Sequence, residues 1–155
     1  MTVTIIESEL RSALSGIVTD WPIRWPNEPW PANISLSTGN LPINPDGSAM
    51  PCIEAEALFG QDDATIAAEG QRISRQLGMF KIYCLYPQGI GRGDLNTHLD
   101  EIQAGFKRKT LLLDTSQWER LTTMDPRVDN NAAAVEDGDR FVRTVTIQFE
   151  FFYRS

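Results

Sequence analysis

The chain has 155 residues, 41% of them hydrophobic and 23% charged, with a net charge of −7 and a pI near 4.7. This length predicts one domain over residues 1–155, able to bury roughly 68–70% of its unfolded surface. The acid excess argues against gripping nucleic acid through an overall positive field, and no run approaches the ~20 apolar residues of a membrane span.

Cys52 and Cys84 lie far apart in apolar settings and read as buried free thiols. The first apolar residues are broken by Glu7, Glu9 and Arg11, unlike a signal peptide, so a reducing, soluble compartment is expected.

Thr4 to Val18 predicts a first helix. Ile6, Leu10, Ala13, Leu14 and Ile17 share one face, and Thr4 with Glu7 matches a capping box. The next twelve residues, Asp20 to Pro31, hold three tryptophans and four prolines. Proline removes donors and disfavours helix, so an extended path is expected. Trp21, Trp25 and Trp30 either pack over an edge of the core or serve as contact residues, a role in which tryptophan is enriched.

Ala32 to Leu36 predicts a short strand, Ser37 to Asn40 a turn, and Leu41 to Pro51 a loop. Ile53 to Phe59 alternates, with Ile53, Ala55, Ala57 and Phe59 inward and Glu54 and Glu56 on a solvated face. Gly60 to Gln71 is polar and small and reads as a loop or hairpin tip.

Gly78 to Phe106 is the organising stretch: strand, glycine-rich loop, helix. Met79 to Tyr86 alternates weakly, as suits a central strand covered on most of both faces. Pro87 ends it. Gly89, Gly91 and Gly93 supply a turn, Asp94 an N-cap, and Leu95, Leu99, Ile102 and Phe106 one helical stripe. The loop is no phosphate site. It has no Gly-Lys-Ser/Thr ending, and Asp94 stands where the dinucleotide fingerprint needs its third glycine.

Leu111–Leu113 and Gln117–Thr123 supply short strands or one irregular arm, and Asp125 to Asp139 an acidic loop containing Asp129 and Asn130. Phe141 to Tyr153 is the clearest strand. Phe141, Val145, Ile147, Phe149, Phe151 and Tyr153 line one face, with Arg143 at its rim. The fold class expected is α+β: a mixed, mostly antiparallel β-sheet with two helices packed on one face.

Catalytic signals are thin. His98, the one histidine, lies among Asn96, Thr97 and Asp100 and reads as exposed. No Cys-x-x-Cys or His-x-x-x-His points to zinc. No catalytic, cofactor-binding or metal residue is assigned.

Taken in order, several features resemble the small tail terminator proteins of long-tailed bacteriophages, the group that includes the minor tail protein U type. These are the Ile-Ile-Glu-x-x-Leu helix, Trp21-Pro22-Ile23-x-Trp25-x-Asn27-x-Pro29-Trp30-Pro31, and the alternating strand from Ile53. Gly78-Met79-Phe80-x-Ile82 leading to Pro87-x-Gly89-x-Gly91, the Leu95–Phe106 helix and the aromatic closing strand complete the set. The resemblance runs from about Thr4 to Tyr153.

It implies a structural ring subunit, a homohexamer, that caps the tail tube, stops its polymerisation and offers a docking surface to the head connector. The implied partners are further copies of itself, the tail tube protein and the head–tail connector protein. DNA would pass through an acidic bore without specific binding, and neither cofactor nor membrane is involved. The implied location is the neck end of the virion tail, after assembly in the host cytoplasm. Candidate interface residues are Trp21, Trp25, Trp30, Asp129 and Asn130, with loops Pro42–Pro51 and Asp125–Asp139 projecting. Another neck ring subunit, or a small acid–base enzyme using Glu54, Glu56, Asp94 or His98, are the alternatives.

Overall fold

A computed structural model describes residues 2–68, 71–89, 93–129 and 140–154, with the backbone only for 61–68 and 71. Helix α1 (Thr2–Ile17) opens the chain. Short strands β1 (Ile23–Arg24), β2 (Ser35–Leu36) and β3 (Pro42–Ile43) follow. Then come two long strands, β4 (Cys52–Ala68) and β5 (Gln71–Pro87). Helix α2 (Gly93–Phe106) precedes β6 (Thr110–Asp114), β7 (Glu119–Thr123), β8 (Arg127–Asp129) and β9 (Arg140–Arg154).

One sheet runs β1-β4-β5-β9-β7-β6, with β8 also on β9, while β2 and β3 form a separate pair. Only β1 pairs in parallel, through Ile23 with Ile53 and Arg24 with Glu54. The other pairings are antiparallel. The chain is therefore α+β with a mostly antiparallel sheet, as its patterning suggests.

Both helices pack on one sheet face. Ile6, Leu10 and Leu14 of α1 and Leu95, Leu99, Ile102 and Phe106 of α2 enter one core with Phe80, Ile82, Cys84, Val145, Ile147, Phe149 and Phe151. The helices cross where Gly105 meets Ile17, so close that a Cβ on Gly105 would lie 2.3 Å from Ile17 Cδ1. The Thr123 hydroxyl donates to the Phe106 carbonyl and so satisfies one acceptor at the end of α2.

Gly78 permits a second close approach. Paired with Phe59 on one side and Phe149 on the other, it leaves room for those two rings to meet edge to face at 5.8 Å.

Several expectations need correction. The first helix starts at Thr2, so Thr4 lies inside it and caps nothing. Of the loop or hairpin tip expected over Gly60 to Gln71, the hairpin holds and the loop does not: β4 runs to Ala68 and β5 starts at Gln71, paired with two register shifts. β5 is fully covered on one face, where Phe80, Ile82, Cys84 and Tyr86 are buried, and only in part on the other, where Leu85 is buried, Lys81 and Tyr83 are half-buried and Met79 is 37% exposed.

Asp94 lies inside the first turn of α2, which begins at Gly93. Gly89 has the expected positive φ of 85°; Gly91 falls outside the described residues. Within the expected loops, Pro42–Ile43 pairs with Ser35–Leu36, and Arg127–Asp129 pairs with β9. Residues 130–139, including Asn130, lie outside the described residues.

A smaller second core of Trp30, Leu41, Cys52 and Leu85 covers one end of the sheet's other face. Arg140, fully buried, lies at this end. Its guanidinium donates to the carbonyls of Pro42 and, at 3.5 Å, Met50. A strand residue thereby holds the loop opposite.

Candidate functional site

The tryptophan-rich segment is bound to the domain at three points. Trp25 stacks on Phe80 with centroids 6.2 Å apart and planes 7° from parallel. Arg11 of α1 lies over the outer side of its ring at 4.7 Å and pairs with Glu28 at 2.6 Å. Trp30 is buried, donates from Nε1 to the Asn40 carbonyl at 2.8 Å, and lies under the Arg24 guanidinium. Trp21 stacks on His98 at 4.1 Å, with planes 3° from parallel, and tilts against Tyr86. Each ring has an intramolecular packing partner; Trp21 and Trp25 keep half-buried edges at the surface.

His98 is not exposed, contrary to expectation; 9% of it is accessible. It stands three residues after Leu95, which on a helix places it on the core stripe. Nδ1 lies 2.9 Å from the Asp94 carbonyl oxygen and Nε2 2.7 Å from Asp20 Oδ1. Burial alone lowers its pKa. The Asp20 carboxylate, the Asp94 carbonyl and the charge of Glu101 outweigh burial and raise it. The bond from His98 holds Asp20 below the usual carboxylate range.

Glu54 and Glu56 are half-buried and engaged, not a freely solvated pair. Glu54 accepts from Arg24 at 2.7 Å and Glu56 from the Tyr83 hydroxyl at 2.8 Å. Burial, then the bond to Glu56, pushes the Tyr83 pKa up to about 12. Arg24, Glu54 and Tyr83 rim an open groove of about 560 Å³ floored by Leu41, Leu85 and Val142.

Cys84 is fully buried, and burial pushes its thiol up to about 12, which removes the thiolate needed for attack or ligation. Among the described residues, no group of three or more His, Cys, Asp or Glu side chains is placed to hold a metal ion. Asp94 is exposed in the first turn of α2, apart from the two glutamates of β4. Asp129 is half-buried on β8, opposite Thr144.

The sheet face without helices carries most of the exposed large apolar groups; Val3 of α1 and Leu36 of β2 lie elsewhere. Leu58 and Met79, paired across β4 and β5, are 40% and 37% exposed, and Met124 beside Gln148 is 36% exposed. Toward the β6–β7 end, Leu113 is 64% and Trp118 48% exposed, around a groove shared with Ile73 and Phe152. The Arg154 and Arg120 guanidinium groups lie over the Trp118 and Phe152 rings. Leu58, Met79, Leu113 and Trp118 were not singled out by sequence reasoning. Leu58 follows Glu54 and Glu56 on the outward face of its strand, and that was the available signal.

No family model matches the chain, and no curated protein sequence matches it. Eight solved chains match. One has a TM-score of 0.52 and 14% sequence identity, over 94% of this chain and 94% of its own. At that identity the likeness is one of fold.

Proposed function

We propose that this chain is a tail-terminator-type subunit: a structural ring protein that caps the tail tube of a long-tailed bacteriophage, stops its growth and receives the head connector. Its partners are further copies of itself, the tube protein and the connector. The observation that carries the reading is the ordered run of features from the Ile-Ile-Glu helix to the aromatic closing strand, spanning nearly the whole chain.

The surface gives physical support of a general kind. Large apolar side chains left in water on a sheet face mark contact surfaces more often than reaction centres. Here Leu58, Met79 and Met124 cluster on the face that the helices leave bare. The net charge of −7 suits a bore through which DNA slides without sticking.

Negative-stain microscopy of tubes assembled from the matching tube protein, with and without this chain, tests the reading. Tubes of bounded length with a ring at one end are expected only when the chain is present. Tubes that grow without limit in both cases would overturn it.

A further inference from the structure

His98 is the one histidine of the chain, and both of its ring nitrogens face oxygen. Nδ1 meets a backbone carbonyl, and Nε2 meets a carboxylate. A carbonyl oxygen accepts and never donates, and an ionised carboxylate does the same. A neutral imidazole has one N–H and one lone pair. In either tautomer, one of these two contacts would set acceptor against acceptor. The imidazolium donates from both nitrogens and satisfies both. The indole of Trp21, stacked 3° from parallel at 4.1 Å, offers its face to that cation.

We propose that His98 is a doubly protonated clasp: as the imidazolium it fastens the tryptophan-rich segment at Asp20 and Trp21 onto helix α2, and loss of one proton loosens that end of the segment.

The surroundings fit this role. Asp20 faces the ring from the segment, Glu101 acts on it from the same helix, and Tyr86 of β5 lies behind Trp21. The influences that outweigh burial are all anionic or accepting. With the folded pKa raised, the clasp is complete below the ordinary histidine value of ~6.5 and opens as pH rises through the folded value. With the Asp20 pKa lowered, the clasp also fails in acid, as pH falls through the folded Asp20 value. The closed window lies between the two. This inference does not depend on the tail-terminator reading.

A lone histidine makes the ring nitrogens unambiguous in 15N NMR. A readout of docking lies next door, because the Ile53 amide donates to the Pro22 carbonyl at 2.9 Å. At pH 6.5 both ring nitrogens should carry imidazolium shifts, with a titration midpoint above the free-histidine value. Across that midpoint the protection factor of the Ile53 amide, corrected for intrinsic exchange, should fall about tenfold, as for loss of one charge-assisted hydrogen bond. Asp20→Asn, at a largely solvent-exposed side chain, should lower the midpoint, and His98→Gln should make Ile53 protection independent of pH. A neutral tautomer at pH 6.5, a midpoint unmoved by Asp20→Asn, or Ile53 protection that ignores the titration would overturn the proposal.

Discussion

Gly78→Ala tests whether the sheet is packed as tightly as its geometry states. The backbone of Gly78 is ordinary strand, outside the left-handed region, so alanine meets no conformational objection. The added Cβ would lie 2.4 Å from Phe149 Cζ, 2.9 Å from Phe149 Cε2 and 2.5 Å from the Leu58 carbonyl oxygen. Phe149 is fully buried, and the Leu58 carbonyl belongs to the neighbouring strand, so neither neighbour moves aside without opening the core or the ladder. Overpacking of this kind costs roughly 1–3 kcal/mol. The upper end applies, because ring and backbone are struck together. Restricting the unfolded chain returns about 0.4–1 kcal/mol, leaving a net loss of about 2 kcal/mol. For a chain of this length that lowers Tm by roughly 4–8 °C, readable by circular dichroism.

Gly105→Ala is the control. Its Cβ would lie 2.3 Å from Ile17 Cδ1 and 2.9 Å from Cγ1, side-chain atoms of a half-buried residue at the end of α1, with no backbone struck. A change of the Ile17 rotamer relieves both contacts, and helix propensity favours alanine by about 1 kcal/mol, so the net change should stay within about 1 kcal/mol. Phe149→Leu should partly relieve Gly78→Ala, with a coupling of roughly 0.5–3 kcal/mol in a double-mutant cycle. A Gly78→Ala protein as stable as the parent, or no coupling to Phe149, would refute the packing argument.

Three further outcomes follow from the same contacts. Phe106→Asp places a charge at a fully buried position against Phe80; circular dichroism should show an unfolded or molten chain, since a buried unpaired charge costs several kcal/mol. Arg140→Met removes the donor from the Pro42 and Met50 carbonyls and should cost about 2–3 kcal/mol, with amide exchange rising first around residues 42–50. Ultraviolet titration should show one of the three tyrosines, Tyr83, ionising only at about 12, and Glu56→Gln should bring that value down. As its folded pKa is raised, Tyr83 supports the fold below pH ~10, and that support is lost as pH climbs through the folded value.

The sequence announces features that have a local period. The apolar stripes of both helices, the alternation from Ile53 and the closing strand from Phe141 all stand where their spacing puts them. Beyond Gly60 a hairpin was legible but the length of its strands was not, because a polar stretch carries no alternation even when its backbone is paired. The buried polar groups were hidden for another reason. A polar side chain enters the interior when a distant partner satisfies it. Asp20 is 78 positions from His98, and the carbonyls of Met50 and Pro42 are 90 and 98 positions from Arg140. No local window joins such residues, although the i, i+3 relation of Leu95 to His98 already pointed inward.

The place of β9 has a consequence for how the chain is made. In chain order the β4–β5 and β6–β7 hairpins come first, yet the sheet sets β9 between them. Until residues 140–154 leave the ribosome, β5 and β7 each present an open edge, and only the helices tie the halves together. Such an intermediate is a template for pairing with other chains, and its closing step joins β5 and β9 residues 53 to 81 positions apart, which slows folding. The keystone of this sheet follows both hairpins in chain order, so their inner edges stay open to other chains until it pairs.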